Sequence, residues 1–278
     1  SENEPTFRMA EEVQAAAFRV HPYHHEVIGD MADLRTISRD DLYQHYRSFY
    51  TPNNAVLAVA GDFRTGTLLA RIRELFGRIP RAPSPGRAVR PEPPQRGERR
   101  VNVEGPGETA YLEAAYHSVS GADPDFFPVA VLDSVLAGAS SLNLFGGGIS
   151  NETTRLYRAL VEKGLAASIS GDLSATIDPY LYVLRATIRP DHTPEEVLTA
   201  FDEEIDRVVQ QPVAKAEVAK AVKQAKALFA YGSESISNQA FWMGYSEMFA
   251  EYSWFENYLD RIAAVGAEDV LRVARRLL

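Results

Sequence analysis

Two spacings of hydrophobic residues organise this chain, and the spacing decides each element. Phe7, Ala10, Val13 and Ala17 recur at three- and four-residue steps, which predicts a helix over residues 6–18. TISRDDLYQHYRSFY opens another. Ser38 is placed to cap it, and Asp40 and Asp41 fall in the first turn, where carboxylates complement the helix dipole. Leu42, Tyr46, Phe49 and Tyr50 supply its apolar face. TPNN breaks the pattern, and AVLAVAG then reads as a buried strand. GTLLARIRELFGRIP predicts a further helix, closed at Gly77 and Pro80.

RAPSPGRAVRPEPPQRG contains five prolines and no apolar period, so the chain is expected to run there as a semi-rigid connector. Beyond it RRVNVEG and TAYLEAAYHSV predict strands, and FFPVAVLDSVLAG predicts a helix. The loop ASSLNLFGGGIS follows, then a helix expected over Asn151 to Lys163 and stopped by Gly164. AASISGDLS and YLYVLRATIR read as strands. TPEEVLTAFDEEIDRVVQQ begins with a capping-box pattern of Thr193, Pro194 and Glu196, and the remainder reads as mostly helical. Strands bunched with helices, without strict βαβ alternation, predict an α+β fold with a mixed, largely antiparallel sheet packed against helices.

An internal likeness adds to this picture. LRTISRDDLYQHYRSFY aligns with IAAVGAEDVLRVARRLL at a constant offset of 228, placing Ile37 on Val265, Asp41 on Asp269 and Leu42 on Val270. The first copy runs on into AVLAVAG, whereas the second ends where the matching strand would begin. SENEPTFRMAEE enters helical material without an initiating methionine, and AEDVLRVARRLL ends without a stop signal. The expectation is a piece of a longer protein.

Composition narrows the chemistry. The 278 residues are 45% hydrophobic and 24% charged, enough for more than one core. A net charge of -9 argues against a phosphate-binding surface, so no nucleic-acid partner is expected. No apolar run approaches the roughly 20 residues that span a bilayer, so no membrane span is expected. The absence of cysteine removes disulfides, thiol nucleophiles and Cys-based zinc sites, and leaves the compartment open.

HPYHHEVIGD concentrates His21, His24 and His25 beside Glu26. A helical zinc site needs two imidazoles four residues apart with a glutamate between them, and here Glu26 follows the last histidine. Pro22 also biases His21 away from helix. These residues predict a loop with partly exposed histidines. LFGGGISNETTR precedes a helix but lacks the Gly-Lys-Ser/Thr ending of a phosphate loop, and Asn151 stands where a dinucleotide motif needs glycine. A loop lining a cleft is expected, since glycine admits close approach of another backbone. No G-x-S-x-G occurs, and Glu203, Glu204 and Asp206 read as a solvated helix face. Phe241, Tyr245, Phe249, Tyr252 and Phe255 fit a packed stripe or a subunit interface.

HPYHHEVIGDMADLRTISRDDLYQHYRSFYTPNNAVLAVAGDF resembles the stretch downstream of the zinc site in pitrilysin/insulinase-family metallopeptidases, which include mitochondrial processing peptidase and many bacterial zinc proteases. TRLYRALVEKGLAASI and YLDRIAAVGAEDVLRVARRLL resemble parts of their second, inactive half, so the likeness covers nearly the whole chain. It implies two homologous α+β halves, the first incomplete here. Residues 1–80 would be the C-terminal part of the zinc half, 81–96 a proline-rich linker, and 97–278 the substrate-chamber half, lacking its last strand. The family's H-x-x-E-H occurs nowhere in this sequence. The resemblance therefore implies no catalytic residue, metal ligand or cofactor in this chain, with zinc expected in the parent protein. Its implied partners are a peptide substrate, an upstream zinc domain, and a second family subunit in a homo- or hetero-dimer. Many relatives place an Arg and a Tyr where this sequence has Val161 and Ala167, and a loose likeness of the glycine loop implies substrate contact at Gly146, Gly147 and Gly148. Two alternatives remain open: a structural or partner-binding subunit of the same fold, and an unrelated α+β binding domain.

Overall fold

The computed structural model describes residues 5–87, 89–140 and 151–278. Its first stretch holds α1 (Pro5–Ala17), α2 (Met31–Thr36), α3 (Arg39–Phe49) and α4 (Thr65–Phe76). α3 begins where its cap predicts. Asp41 N–H donates to Ser38 Oγ, and the Asp41 carboxylate accepts Ser38 N–H in return. AVLAVAG differs from expectation: the chain leaves Asn54 in extended backbone at Ala55 yet enters no ladder, and Val56, Leu57 and Val59 stay exposed. RRVNVEG likewise forms no ladder, with Val101 and Val103 exposed. Both have strand composition, but a ladder needs a second edge, and neither pairs with another strand among the described residues.

The sheet holds β1 (Tyr111–His117), β2 (Ala166–Leu173) and β3 (Leu181–Ile188), all antiparallel, in the order β1-β3-β2. Alternation along β3 explains its two faces. Tyr182, Leu184, Ala186 and Ile188 are buried toward the helices, whereas Arg185 points the other way and pairs with Glu113 of β1 at 2.8 Å.

Behind the sheet lies α5 (Phe126–Leu136), an apolar helix buried along its whole length. Around it gather α6 (Pro194–Gln210), α7 (Lys215–Gly232), α8 (Ile236–Phe249), α9 (Tyr252–Glu256), α10 (Tyr258–Ala263) and α11 (Ala267–Leu277). The Thr193–Glu196 capping box forms as predicted. Trp254 is central to the core. Its ring lies 4.9 to 5.6 Å from those of Phe126, Phe127, Phe249 and Tyr258, and its N–H donates to Gly121 O at 2.8 Å.

The helix expected over Asn151 to Lys163 is present but shorter: after a turn it begins at Arg155 and continues as the π-helical segment Tyr157–Val161. Asn151 is committed elsewhere through its side chain. Glu162 and Leu165 donate to carbonyls five residues back, and Gly164 ends the segment at a φ of 79° that favours glycine. The internal likeness, by contrast, is structural. α3 and α11 have bounds shifted by the same 228 residues, and Gly266–Asp269 repeats the backbone half of the Ser38–Asp41 cap, Gly266 N–H donating to Asp269 at 3.0 Å.

Candidate functional site

The glycine loop leaves the described structure at Ser140 and returns at Asn151, so Gly146, Gly147 and Gly148 lie outside the described residues. Its two roots are held by one strand. Leu173 N–H donates to Ser140 Oγ at 3.1 Å, and Asn151 Nδ2 donates to Ile169 O at 2.7 Å. Both bonds fall on the edge of β2 away from β3, on either side of Gly171. Asn151 Nδ2 also reaches Ala137 O at 3.1 Å, tying the same root to the end of α5. Edge-strand groups that would otherwise lie open are thereby satisfied.

Beneath Ser140 lies Asp133, in the last turn of α5 and fully buried. Its Oδ2 accepts Ser140 N–H at 2.8 Å and Ser140 Oγ–H at 2.7 Å. Its Oδ1 faces Gly171, where an added Cβ would come within 2.2 Å. The close approach requires glycine there. Tyr182, also fully buried, brings its hydroxyl near the carboxyl. Neither Asp133 Oδ1 nor Tyr182 Oη has a well-formed hydrogen bond among the described residues. Burial pushes the Asp133 carboxyl up to about 7, against the pull of the Ser140 bonds, and the nearby charge of Asp172 adds to the rise.

A cavity of about 210 Å³ opens beside these roots, lined by Ser140, Ser170, Gly171, Asp172, Val183 and Arg185. Hydroxyls, a guanidinium and a carboxylate suit hydrogen bonding to a peptide backbone. No histidine lies among these described lining residues. Sequence reasoning missed Asp133, although a lone acid in FFPVAVLDSVLAG is a visible signal. Ser140 and Asn151 carried no such signal.

His21, His24 and His25 form a joint. His21 is buried, not partly exposed: its Nδ1 accepts Tyr23 N–H at 3.1 Å and its Nε2 lies 3.3 Å from Asp178. His24 Nδ1 is 2.8 Å from His21 O, and the rings of His24 and His25 lie 3.6 Å apart. Phe18 packs on His117 and Tyr180, and the Glu92 carboxylate accepts the N–H groups of Arg19, Val20 and His21 at 2.8, 2.9 and 3.1 Å. Arg87 pairs with Asp178, and Arg99 donates to Ala17 O at 2.9 Å. The segment after α1 is thus clamped between the proline-rich connector and the turn before β3.

No three His, Asp or Glu side chains converge to hold a metal ion among the described residues. Both nitrogens of His21 are committed, and the residues present do not fit a zinc centre. Val161 and Ala167 bring no polar side chain to the site. In the aromatic stretch Trp242, Phe249, Trp254, Phe255 and Tyr258 are core, while Met248 and Tyr252 reach solvent.

The model of the peptidase M16 inactive domain matches residues 36–225, well over half of the chain. A zinc protease of Streptomyces coelicolor, described as uncharacterised, is 27% identical over 261 residues, or 91% of this chain and 54% of its own length. The beta subunit of the mitochondrial-processing peptidase of Saccharomyces cerevisiae is 25% identical over 81% of this chain and 50% of its own. Among solved structures, a protease from Helicobacter pylori superposes with a TM-score of 0.89 at 20% identity, over 100% of this chain and 65% of that one. A peptidase M16 inactive domain from Pseudomonas fluorescens gives 0.83 at 19% identity, over 100% and 63%. The chain spans 54% of the first of these curated relatives and 50% of the second.

Proposed function

The chain belongs to the peptidase M16 family through its inactive domain, and from that premise we propose that it is the non-catalytic part of a zinc metalloendopeptidase, walling a chamber in which extended peptides are cut. The observation that carries this is the uncovered apolar surface of residues 34–79. Leu42, Tyr46, Leu57, Leu69, Leu75 and Phe76 are all exposed there, and large apolar side chains left open in such number mark a surface that a partner covers. A zinc-bearing half is the natural cover. Hydrolysis needs a metal to acidify water and polarise the carbonyl, with a carboxylate to move protons. This sequence has no H-x-x-E-H, so that chemistry falls to the covering half. The residues of this chain bind and orient: Ser140 and Asn151 anchor the two ends of the glycine segment on the β2 edge, and Gly146, Gly147 and Gly148 are proposed to contact peptide.

The test is metal analysis and peptide cleavage by the purified 278-residue chain, alone and mixed with the zinc-bearing half of a bacterial relative. Alone, it should hold no stoichiometric zinc, cleave nothing, and melt at the same temperature after chelation. Mixed, it should bind that half and raise its cleavage rate. One tightly bound zinc per chain, or cleavage by the chain alone, would overturn the proposal. Binding without any gain in cleavage would transfer it to a structural subunit of the same fold.

A further inference from the structure

Asp133 is a fully buried carboxyl with one oxygen bonded twice to Ser140 and the other, set against Gly171, without a well-formed hydrogen bond among the described residues. Burying an ionised acid is costly unless hydrogen bonds or a bound proton offset the lost hydration. Its two bonds end on Ser140, whose hydroxyl in turn accepts Leu173 N–H from the β2 edge. Removing the carboxyl leaves that hydroxyl without the acceptor that orients it.

We propose that Asp133 is a positioning residue, a proton-operated clasp that fastens Ser140, and with it one root of the glycine loop, to the edge of β2. Its bearing on peptide contact rests on the function proposed above; the clasp itself does not. In the closed clasp a protonated Oδ1 can donate to the nearby Tyr182 hydroxyl while Oδ2 goes on accepting from Ser140. In the ionised form the charge sits in a dry site at the C-terminal, electronegative end of α5. Ser140 and Tyr182 ease that charge only through hydrogen bonds, and no cation is among the groups that shift it. Asp172 of β2 repels it, and Tyr182 of β3 and, beyond it, Tyr116 of β1 are neutral phenols. Arg272 and Arg276 of α11 are engaged with Asp125, and Arg261 of α10 lies over Phe127, all at the opposite end of α5. The lysines of α7, at 215, 220, 223 and 226, are exposed.

The sign follows from the two protonation states. The closed form titrates at about 7, and an open form with the carboxyl in water near 3.8. Closed therefore holds the proton more tightly, and closure is favoured by acid. Opening increases about tenfold per pH unit between roughly 4 and 7 and levels off above that, as one-proton linkage requires.

Amide exchange of the full chain, corrected for the intrinsic rate and followed at Ser140 and Leu173 from pH 5 to pH 8.5, tests this. Wild type should lose protection about tenfold per unit up to about pH 7 and then plateau. Asp133→Asn, which keeps the acceptor for Ser140 and gains a donor toward Tyr182, should show a flat profile. Gly171→Ala, which crowds Oδ1, should expose both amides at every pH. The same slope in wild type and Asp133→Asn overturns the clasp. So does a matching slope at Leu184 in the centre of the sheet, which would mean global opening. Labelling of the chain by a photoreactive extended peptide separately tests whether the loop meets substrate, so either idea can fail without the other.

Discussion

Replacing Glu92 by alanine should free the segment after α1 without unfolding the helices behind the sheet. One carboxylate accepts three consecutive backbone N–H groups, from Arg19, Val20 and His21, at 2.8 to 3.1 Å. A hydrogen bond to a charged group contributes about 1.5–3 kcal/mol net when sheltered. Glu92 is only half-sheltered, so solvent screening cuts the sum of the three to about 2 kcal/mol. That corresponds to roughly a thirty-fold rise in the local opening equilibrium. Amide exchange at residues 19–21 should rise by that factor in Glu92→Ala and by less in Glu92→Gln, which keeps one acceptor oxygen. Trp242 and Trp254, both buried in the helical core, should report an unchanged unfolding midpoint by fluorescence. The pH dependence has a definite sign. Burial opposes ionisation, but the backbone donors outweigh it and hold this carboxyl below the usual glutamate range. The contribution is therefore complete above the unfolded value near 4.5 and is lost as pH falls through the lower folded value. Wild type and Glu92→Gln should differ at pH 7 and converge in acid. Unchanged exchange at 19–21, or an equal rise across the whole sheet, would refute the clamp.

The core and the uncovered surface make two further predictions. Trp254→Ala should lower stability by about 3–5 kcal/mol in thermal denaturation. Trp254→Phe should lower it by about 1–3 kcal/mol, because Gly121 O loses its indole donor. Leu42→Asp with Leu57→Asp should leave the melting temperature nearly unchanged, both side chains being more than half exposed, yet abolish binding to the zinc-bearing half. Full binding by that double variant would place the interface elsewhere.

What was legible in the sequence was local. Ser38 with Asp41 and Thr193 with Glu196 fix helix starts within four residues, and both caps form as their spacing predicts. AVLAVAG and RRVNVEG show why strands are harder. Their composition suits a ladder, but laddering depends on a second edge that no local pattern supplies. The histidine joint and the clasp were hidden for the same reason. His21 finds Asp178 across 157 positions, and Asp133 sits against Gly171 of a different element. A sequence shows that a buried acid or histidine exists; only the fold shows what it holds.

The internal repeat turns this into an argument about the missing cover. α3 and α11 share their length and the carboxylate half of their caps, and position for position Leu42 matches Val270 and Tyr46 matches Ala274. In α11 both matched residues are fully buried, because α5 and α6 pack over them. In α3 both are more than half exposed. Since burying each large apolar side chain is worth about 1.5–3 kcal/mol, the same helical pattern has a core over α11 and lacks one over α3. The surface that would complete α3 should therefore resemble α5 and α6 in kind: helices, one apolar along its length and one amphipathic, that turn apolar side chains toward it.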